Sequence, residues 1–298
     1  MDQSKQSNRY FDRDISWLTF NDRVLEEAAK ADVPLYERLK FLAIYSSNLD
    51  EFYRVRMASI MALSKVVKER KQCLEDVHSI IKGQQNRFGE ILRKQIIPEL
   101  SQHNIELLYN VEIPQALYPS LREIFFNQIA GFLHVEQLTK HTKLFPENNK
   151  LYLTVSLVEG DEMFVVNIPS DSLSRFYSIP LEGKTYVVII DDIICHHVSA
   201  LFGGREVRDA HAFKVTRDAE MNPTDEMGEA PTAQMEKLLA VRDLGFATRL
   251  LYGSAMPEYM LRKVIKTFKM AHASHIAGGR YHNLRDFFSF PKGSPQLY

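Results

Sequence analysis

The chain has 298 residues, a formal net charge of −1, a 45% hydrophobic fraction and two cysteines. That length points to two domains, and the apolar fraction is enough for ordinary cores. The near-neutral balance excludes a bulk polycation, so no nucleic-acid partner is expected and any polyanion site must be a local cluster or lie outside this chain. Cys73 and Cys195 are far apart and lack metal-ligand spacing, which fits a reduced, cytoplasmic protein. The first residues lack the apolar core of a signal peptide, and no run approaches the ~20 apolar residues of a membrane helix. Nothing in the sequence indicates peripheral membrane association.

Residues up to about 105 read almost entirely as helix, an N-terminal antiparallel bundle of three or four helices with short connections. Trp17, Phe20, Val24, Leu25 and Ala28 recur at helical spacing. Asp32 and Pro34 mark the next start, since Pro suits a first helical turn and Asp its positive end. Leu35, Leu39, Leu42, Leu49, Phe52, Ile60 and Leu63 then follow one face. They predict one helix running to about Val67, roughly 50 Å long at ~1.5 Å per residue. A third helix is expected over residues 74–100, strained near Gly83 and ending close to Pro98.

Beyond about Ile105 the pattern becomes that of an α+β head domain, residues 106–298, with a mostly antiparallel sheet. Strands are predicted at 151–158, 163–168, 175–179, 185–190, 210–217 and 248–252, the first alternating like a half-buried strand. Turns sit at Gly160-Asp161 and Glu182-Gly183. Residues 221–231 read as an exposed loop, and helices are expected at 232–241 and 257–269.

Residues 38–52 (RLKFLAIYSSNLDEF) set Ser46, Ser47, Asn48, Asp50 and Glu51 inside an apolar helix. Ser, Asn and Asp compete there for backbone hydrogen bonds, and burying them unpaired costs ~1–3 kcal/mol each. Asp50 and Arg54, four apart, are placed to pair along the surface. Two readings stay open for the cluster. Ser46, Ser47 and Asn48 hydrogen-bond a neighbouring helix, or the Asn48 amide, donor and acceptor together, reads a ligand edge such as a purine base.

Gly203-Gly204-Arg205 and Gly278-Gly279-Arg280 each join a flexible backbone to a guanidinium, which is phosphate-binding chemistry. The second continues into Tyr281-His282-Asn283, making Arg280 the better phosphate candidate; its alternative is a turn and helix start. His196-His197 reads as structural, because adjacent side chains on a helix do not face each other and no nearby acid or thiol has ligand spacing. Arg9 and Arg13 flank aromatic residues and read as packing and surface pairing. No Walker-type or protein-kinase motif set occurs.

Residues 9–28 (RYFDRDISWLTFNDRVLEEA) and 34–56 (PLYERLKFLAIYSSNLDEFYRVR) resemble the start of a bacterial polyphosphate kinase, of the large type that works through a phosphohistidine. Residues 211–220 (HAFKVTRDAE) and 278–288 (GGRYHNLRDFF) agree and fall in the right order. The resemblance spans essentially the whole chain but only the first part of the family, its N-terminal helical and head domains. It implies that two C-terminal catalytic domains, with the phosphohistidine and most phosphate- and magnesium-binding residues, are absent here. It further implies reversible transfer of the terminal phosphate of ATP to polyphosphate, with ATP, ADP, polyphosphate and Mg²⁺ as partners and a homo-oligomeric state. By the same resemblance Asn48 contacts the nucleotide, while no catalytic residue or metal ligand is expected in this chain; Asp50 and Glu51 inherit no role and read as structural. Between Gln128 and Leu151 the chain departs from the Pro-rich pattern of the family. The rival reading is a non-catalytic oligomerisation module, with Phe125-Phe126 and Phe287-Phe288 as exposed apolar anchors.

Overall fold

The computed structural model describes residues 12–218 and 247–293 together with Leu297. Arg9, the loop expected at 221–231 and the helix expected at 232–241 lie outside the described residues.

The chain begins with α1 (Arg13–Ala29), α2 (Leu35–Val55), α3 (Met57–Val66) and α4 (Lys68–Ile91). The Asp12 carboxylate caps α1, accepting from the N–H groups of Asp14 and Ile15 at 2.9 and 3.2 Å. That satisfies two of the donors a helix start leaves unpaired. Helix α1 packs on α2 and α4, and α3 packs on α4. Leu18, Leu25, Leu39, Leu42 and Phe52 are buried in their shared core.

Phe20 is not on that inner face: it is 56% exposed, and α1 buries Leu18, Asn21, Leu25 and Ala28 instead. These four keep the spacing of one helical stripe, and Phe20 falls two positions from Leu18, on the far side.

The long second helix is interrupted at Arg56, whose φ of −103° departs from the helical mean near −63°; Leu63, in α3, is exposed. The third helix is regular through Gly83. Its irregularity is a π-turn at Leu92–Ile96, followed by α5 (Ile97–Gln102). Pro98 accounts for the place. It offers no N–H to the Lys94 carbonyl and its ring collides with that carbonyl, so the helix widens just before it.

The remainder comprises β1 (Ile105–Leu107), α6 (Tyr118–Ile124), β2 (Val135–Gln137), β3 (Leu151–Leu157), β4 (Met163–Ile168), β5 (Phe176–Leu181), β6 (Lys184–Ile189), α7 (Ile190–His197), β7 (Val207–Arg217), β8 (Ala247–Gly253), α8 (Glu258–Thr267) and β9 (Ser274–Gly278). Two sheets form where one was expected, ordered β1-β6-β5 and β2-β4-β3-β7-β8-β9. Pairing is antiparallel except for β1 with β6 and β8 with β9. Strands β1, β2 and β9 are the ones the sequence pattern missed. All three are edge strands; β1 and β2 have three residues each, too few to display an alternation, whereas β9 has five and alternates only between half-buried and exposed positions, without a fully buried apolar face.

The larger sheet is covered on both faces. Leu151, Leu153 and Val155 of β3 share a core with Leu121 of α6 and Ile193 of α7. Tyr152, Phe213, Val215 and Leu250 share another with Met260 and Val264 of α8. Strand β3 is therefore buried along its whole length rather than on one face. The segment after β9 turns back to the helices: Tyr281, Phe287 and Phe290 join the helical core, and Tyr36 donates its hydroxyl to the Pro291 carbonyl at 3.0 Å.

Candidate functional site

Asn48 is half-buried on α2. Its Nδ2 donates to Asn21 Oδ1 of α1 at 3.0 Å, and buried Asn21 donates to the Tyr45 carbonyl at 3.4 Å. This pairing between helices is why an amide persists inside an apolar helix. Asn48 Oδ1 makes no hydrogen bond with a described residue.

The surface pair expected between Asp50 and Arg54 does not form. Arg54 binds Glu51 at 2.6 Å. Asp50 points inward, because its side of α2 meets β7 and β8, and it is gripped by two cations from those strands. Lys214 Nζ lies 2.5 Å from one carboxylate oxygen and Arg249 Nη2 lies 2.6 Å from the other. The Arg249 guanidinium also stacks 4.2 Å over the Tyr53 ring. Burial alone would raise the Asp50 carboxyl, but the charge and hydrogen bonds of Lys214 and Arg249 outweigh it and hold the group below its usual range.

The network continues. Lys214 Nζ donates to Asn283 Oδ1 at 2.9 Å, and Asn283 Nδ2 donates to Asp286 at 3.1 Å. Asp286 lies 3.4 Å from Arg175 Nε, and buried Arg175 pairs with buried Asp191 at 2.5 Å. Asn283 has φ +61°, a left-handed conformation that Asn tolerates better than most residues. Three separate sequence blocks meet here through Asp50, Lys214 and Asn283, while a fourth joins α2 through Asn21, which bonds Asn48. Lys214 and Arg249 were missed as site residues in the sequence. Arg249 is the single cation of β8, whereas Lys214 shares β7 with Arg208, Asp209, His211 and Arg217, so the sequence gives it no distinct signal.

Arg280 pairs with Asp192 of α7 through Nε at 3.0 Å and Nη2 at 2.7 Å, yet its side chain stays 51% exposed. Tyr281 donates its hydroxyl to the other Asp192 oxygen at 2.7 Å. Gly278 and Gly279 are not in the left-handed region, unlike Gly203 and Gly204. A Cβ on Gly278 would come within 2.9 Å of Leu251, so this glycine serves close strand packing. Arg205 is taken by Glu162 at 2.8 Å.

Burial pushes the Asp192 carboxyl up to about 6, against the pull of Arg280 and the Tyr281 hydrogen bond. With the folded value above the unfolded one, its favourable contribution is complete below pH ~3.8 and is lost as pH rises through ~6. Asp192→Asn is therefore expected to exceed the parent in unfolding free energy by about 1–3 kcal/mol at pH 7. The half-exposed Arg280 pair offsets little of this. The gap should close near pH 4 in urea titrations; a gap independent of pH would refute the assignment.

His196 and His197 end α7 among aromatic rings, with His197 stacked 4.8 Å from Phe125 and His196 at 4.4 Å from Tyr118. Their own rings do meet, edge to face at 4.8 Å, because the helix ends there. Asp192 stands one turn before His196, but its carboxylate is held by Arg280 and Tyr281. Arg13 is exposed. No group of three or more His, Cys, Asp or Glu side chains among the described residues is placed to hold a metal ion. In each Phe pair one ring is buried and one exposed: Phe126 and Phe288 are the outward members.

Between α4 and the β8–β9 edge lies a cleft of about 380 Å³, bordered by Ser46, Lys82, Arg93, Tyr109, Arg249 and Gly279 among others. A second cleft of about 370 Å³ shares Arg93, Ser254 and Gly279 with it and reaches His211 and Arg280. Asn48 lines neither.

Comparison with known proteins matches two family models, the polyphosphate kinase N-terminal domain over residues 10–108 and the polyphosphate kinase middle domain over residues 118–290. The chain is 33% identical over 300 residues to the polyphosphate kinase of Vibrio cholerae, covering 95% of this chain and 42% of that protein. Against the polyphosphate kinase of Escherichia coli it is 30% identical over 304 residues, covering 96% and 44%. The crystal structure of polyphosphate kinase from Porphyromonas gingivalis matches with a TM-score of 0.80 and 32% identity, over 97% of this chain and 43% of that one. The chain thus spans less than half the length of these relatives. With both domain models matched in order and the fold shared throughout, the chain belongs to the polyphosphate kinase family, aligned with its N-terminal and middle domains.

Proposed function

We propose that this chain is the N-terminal portion of an ATP:polyphosphate phosphotransferase, with a helical domain over residues 1–105 and a head domain over 106–298. The parent enzyme moves the terminal phosphoryl of ATP to a histidine in its C-terminal part and from there to polyphosphate, reversibly. The in-order match to both family domains supports this reading. Phosphoryl transfer depends on in-line positioning and on neutralising charge. Magnesium would contribute to the latter, through ligands in the C-terminal part. On its own this portion is inactive and supplies a wall of the nucleotide site and an assembly scaffold.

Asn48 is the base contact. The bond to Asn21 fixes its amide, leaving Oδ1 as an acceptor for an amino group of the base. The half-exposed Arg280 is a phosphate contact. Exposed Phe126 and Phe288 serve contact between copies in a homo-oligomer.

In the complete enzyme, Asn48→Ala is expected to raise the KM for ATP about 3–30-fold with kcat little changed, the loss of one or two hydrogen bonds at ~0.5–1.5 kcal/mol each. Steady-state kinetics at varied ATP check this, with the melting temperature recorded to separate the lost Asn21 pair. An unchanged KM removes Asn48 from the nucleotide site.

A further inference from the structure

We infer that the joined clefts between α4 and the β8–β9 edge form a binding groove for an extended phosphate chain, with Lys82 and Arg93 as its cationic rail. This rests on the polyphosphate reading above and assigns that substrate a path across this chain.

Lys82, Gln85, Asn86, Gly89 and Arg93 all border the first cleft. Their spacing of 3, 4, 7 and 11 residues from Lys82 keeps them on one face, the first four in α4 and Arg93 in the π-turn that continues it. From Lys82 to Arg93 the helix rises about 16 Å, a length suited to an extended anion rather than a compact one. Gly89 is part of the construction: a Cβ there would lie 3.2 Å from both terminal nitrogens of Arg93. The guanidinium therefore lies back against the bare helix at Gly89, directed along the groove.

The electrostatics are one-sided. Lys82 and Arg93 are exposed and make no ion pair with a described residue; Glu90, which also feels the Arg93 charge, is salt-bridged to Lys94. The carboxylates that border the two clefts are already committed, Asp50 to Lys214 and Arg249 and Asp191 to Arg175. At the far end, Arg280 spends Nε and Nη2 on Asp192 and leaves Nη1 without a hydrogen bond among the described residues. Opposite α4, Gly279 borders both clefts, and a Cβ there would meet nothing within 4 Å, so the wall stays open at the junction. A chain of net charge −1 thus carries a local strip of excess positive charge along a concave surface. Phosphate chains bind such strips through counterion release, which makes the binding salt-dependent.

The test uses this 298-residue chain and fluorescently end-labelled long-chain inorganic polyphosphate, read by anisotropy across a salt series. Tripolyphosphate and ATP serve as competitors. The parent is expected to bind, with long-chain polyphosphate displacing the label better than either competitor. Lys82→Gln with Arg93→Gln should weaken binding at least tenfold and flatten its salt dependence. Lys68→Gln with Lys71→Gln, which removes the same charge outside the groove, should change it less than twofold. Absence of binding by the parent, equal loss in the two double variants, or stronger displacement by ATP than by polyphosphate would each overturn the groove assignment. A raised ATP KM in Asn48→Ala alongside such a failure would leave the phosphotransferase reading standing. Absence of polyphosphate synthesis by the complete enzyme would remove that reading instead.

Discussion

Asp50→Ala is expected to cost the chain about 3–5 kcal/mol of stability, because it strands two buried cations. Lys214 and Arg249 both lie inside the protein, and Asp50 is the carboxylate that neutralises them. Truncation removes the counter-charge without removing either cation. Thr216 and Asn283 still accept hydrogen bonds from Arg249 and Lys214, but neither carries charge. The loss is a large part of the ~5–15 kcal/mol that holds a typical domain folded. Denaturant midpoints at pH 7 measure it. A loss below about 1 kcal/mol would show that water reaches the cations and that the pair behaves like a surface one. The consequence reaches Asn48, two residues away on the same helix, because Asp50, with the Tyr53–Arg249 stack, ties α2 to β7 and β8.

Arg175→Met is expected to destabilise by a similar amount, about 3–4 kcal/mol, by leaving Asp191 buried without its cation. Both side chains are almost fully enclosed, and the guanidinium also donates to the His282 carbonyl at 3.1 Å. Burial already raises the Asp191 carboxyl despite Arg175, so in the variant it takes up a proton, which sets a ceiling on the cost. Removing both charges together, as Arg175→Met with Asp191→Leu, should be milder than Arg175→Met alone, since no unpaired charge is left behind. A double variant worse than the single one would show that the pair contributes net stability through geometry. Asn283 and Asp286 link this pair to Lys214, so the Asp50 and Arg175 changes are expected to combine non-additively.

Local signals in the sequence were sufficient where chemistry and period agree over a long enough stretch. The α2 start, strand β4 and helix α8 follow from proline, helical spacing and alternation, which act over a few neighbouring residues. The same physics explains the misses. A three-residue edge strand such as β1 has no room for a period, and the π-turn before Pro98 shifts the irregularity several residues from the glycine that advertised it. The alternation of β3 described one packed face truly but could not reveal that α8 and its neighbours close the other.

The candidate site divides in the same way. That the polar cluster at Ser46–Glu51 needed partners was evident from the sequence, because buried polar groups in an apolar helix are costly when unpaired. The family resemblance was likewise written in four blocks of residues. Which groups answer that need was decided only by tertiary structure. Asp50 chooses Lys214, 164 positions away, and Arg249, 199 positions away, over Arg54 one turn along its own helix. Helical spacing makes Arg54 available, but the packing of α2 on β7 and β8 turns Asp50 inward, where a desolvated charge must meet an opposite charge from the other wall. The groove beside α4 has the same origin. Lys82 and Arg93 share a face by sequence period alone, and only the fold sets that face opposite Gly279 with every nearby carboxylate already engaged.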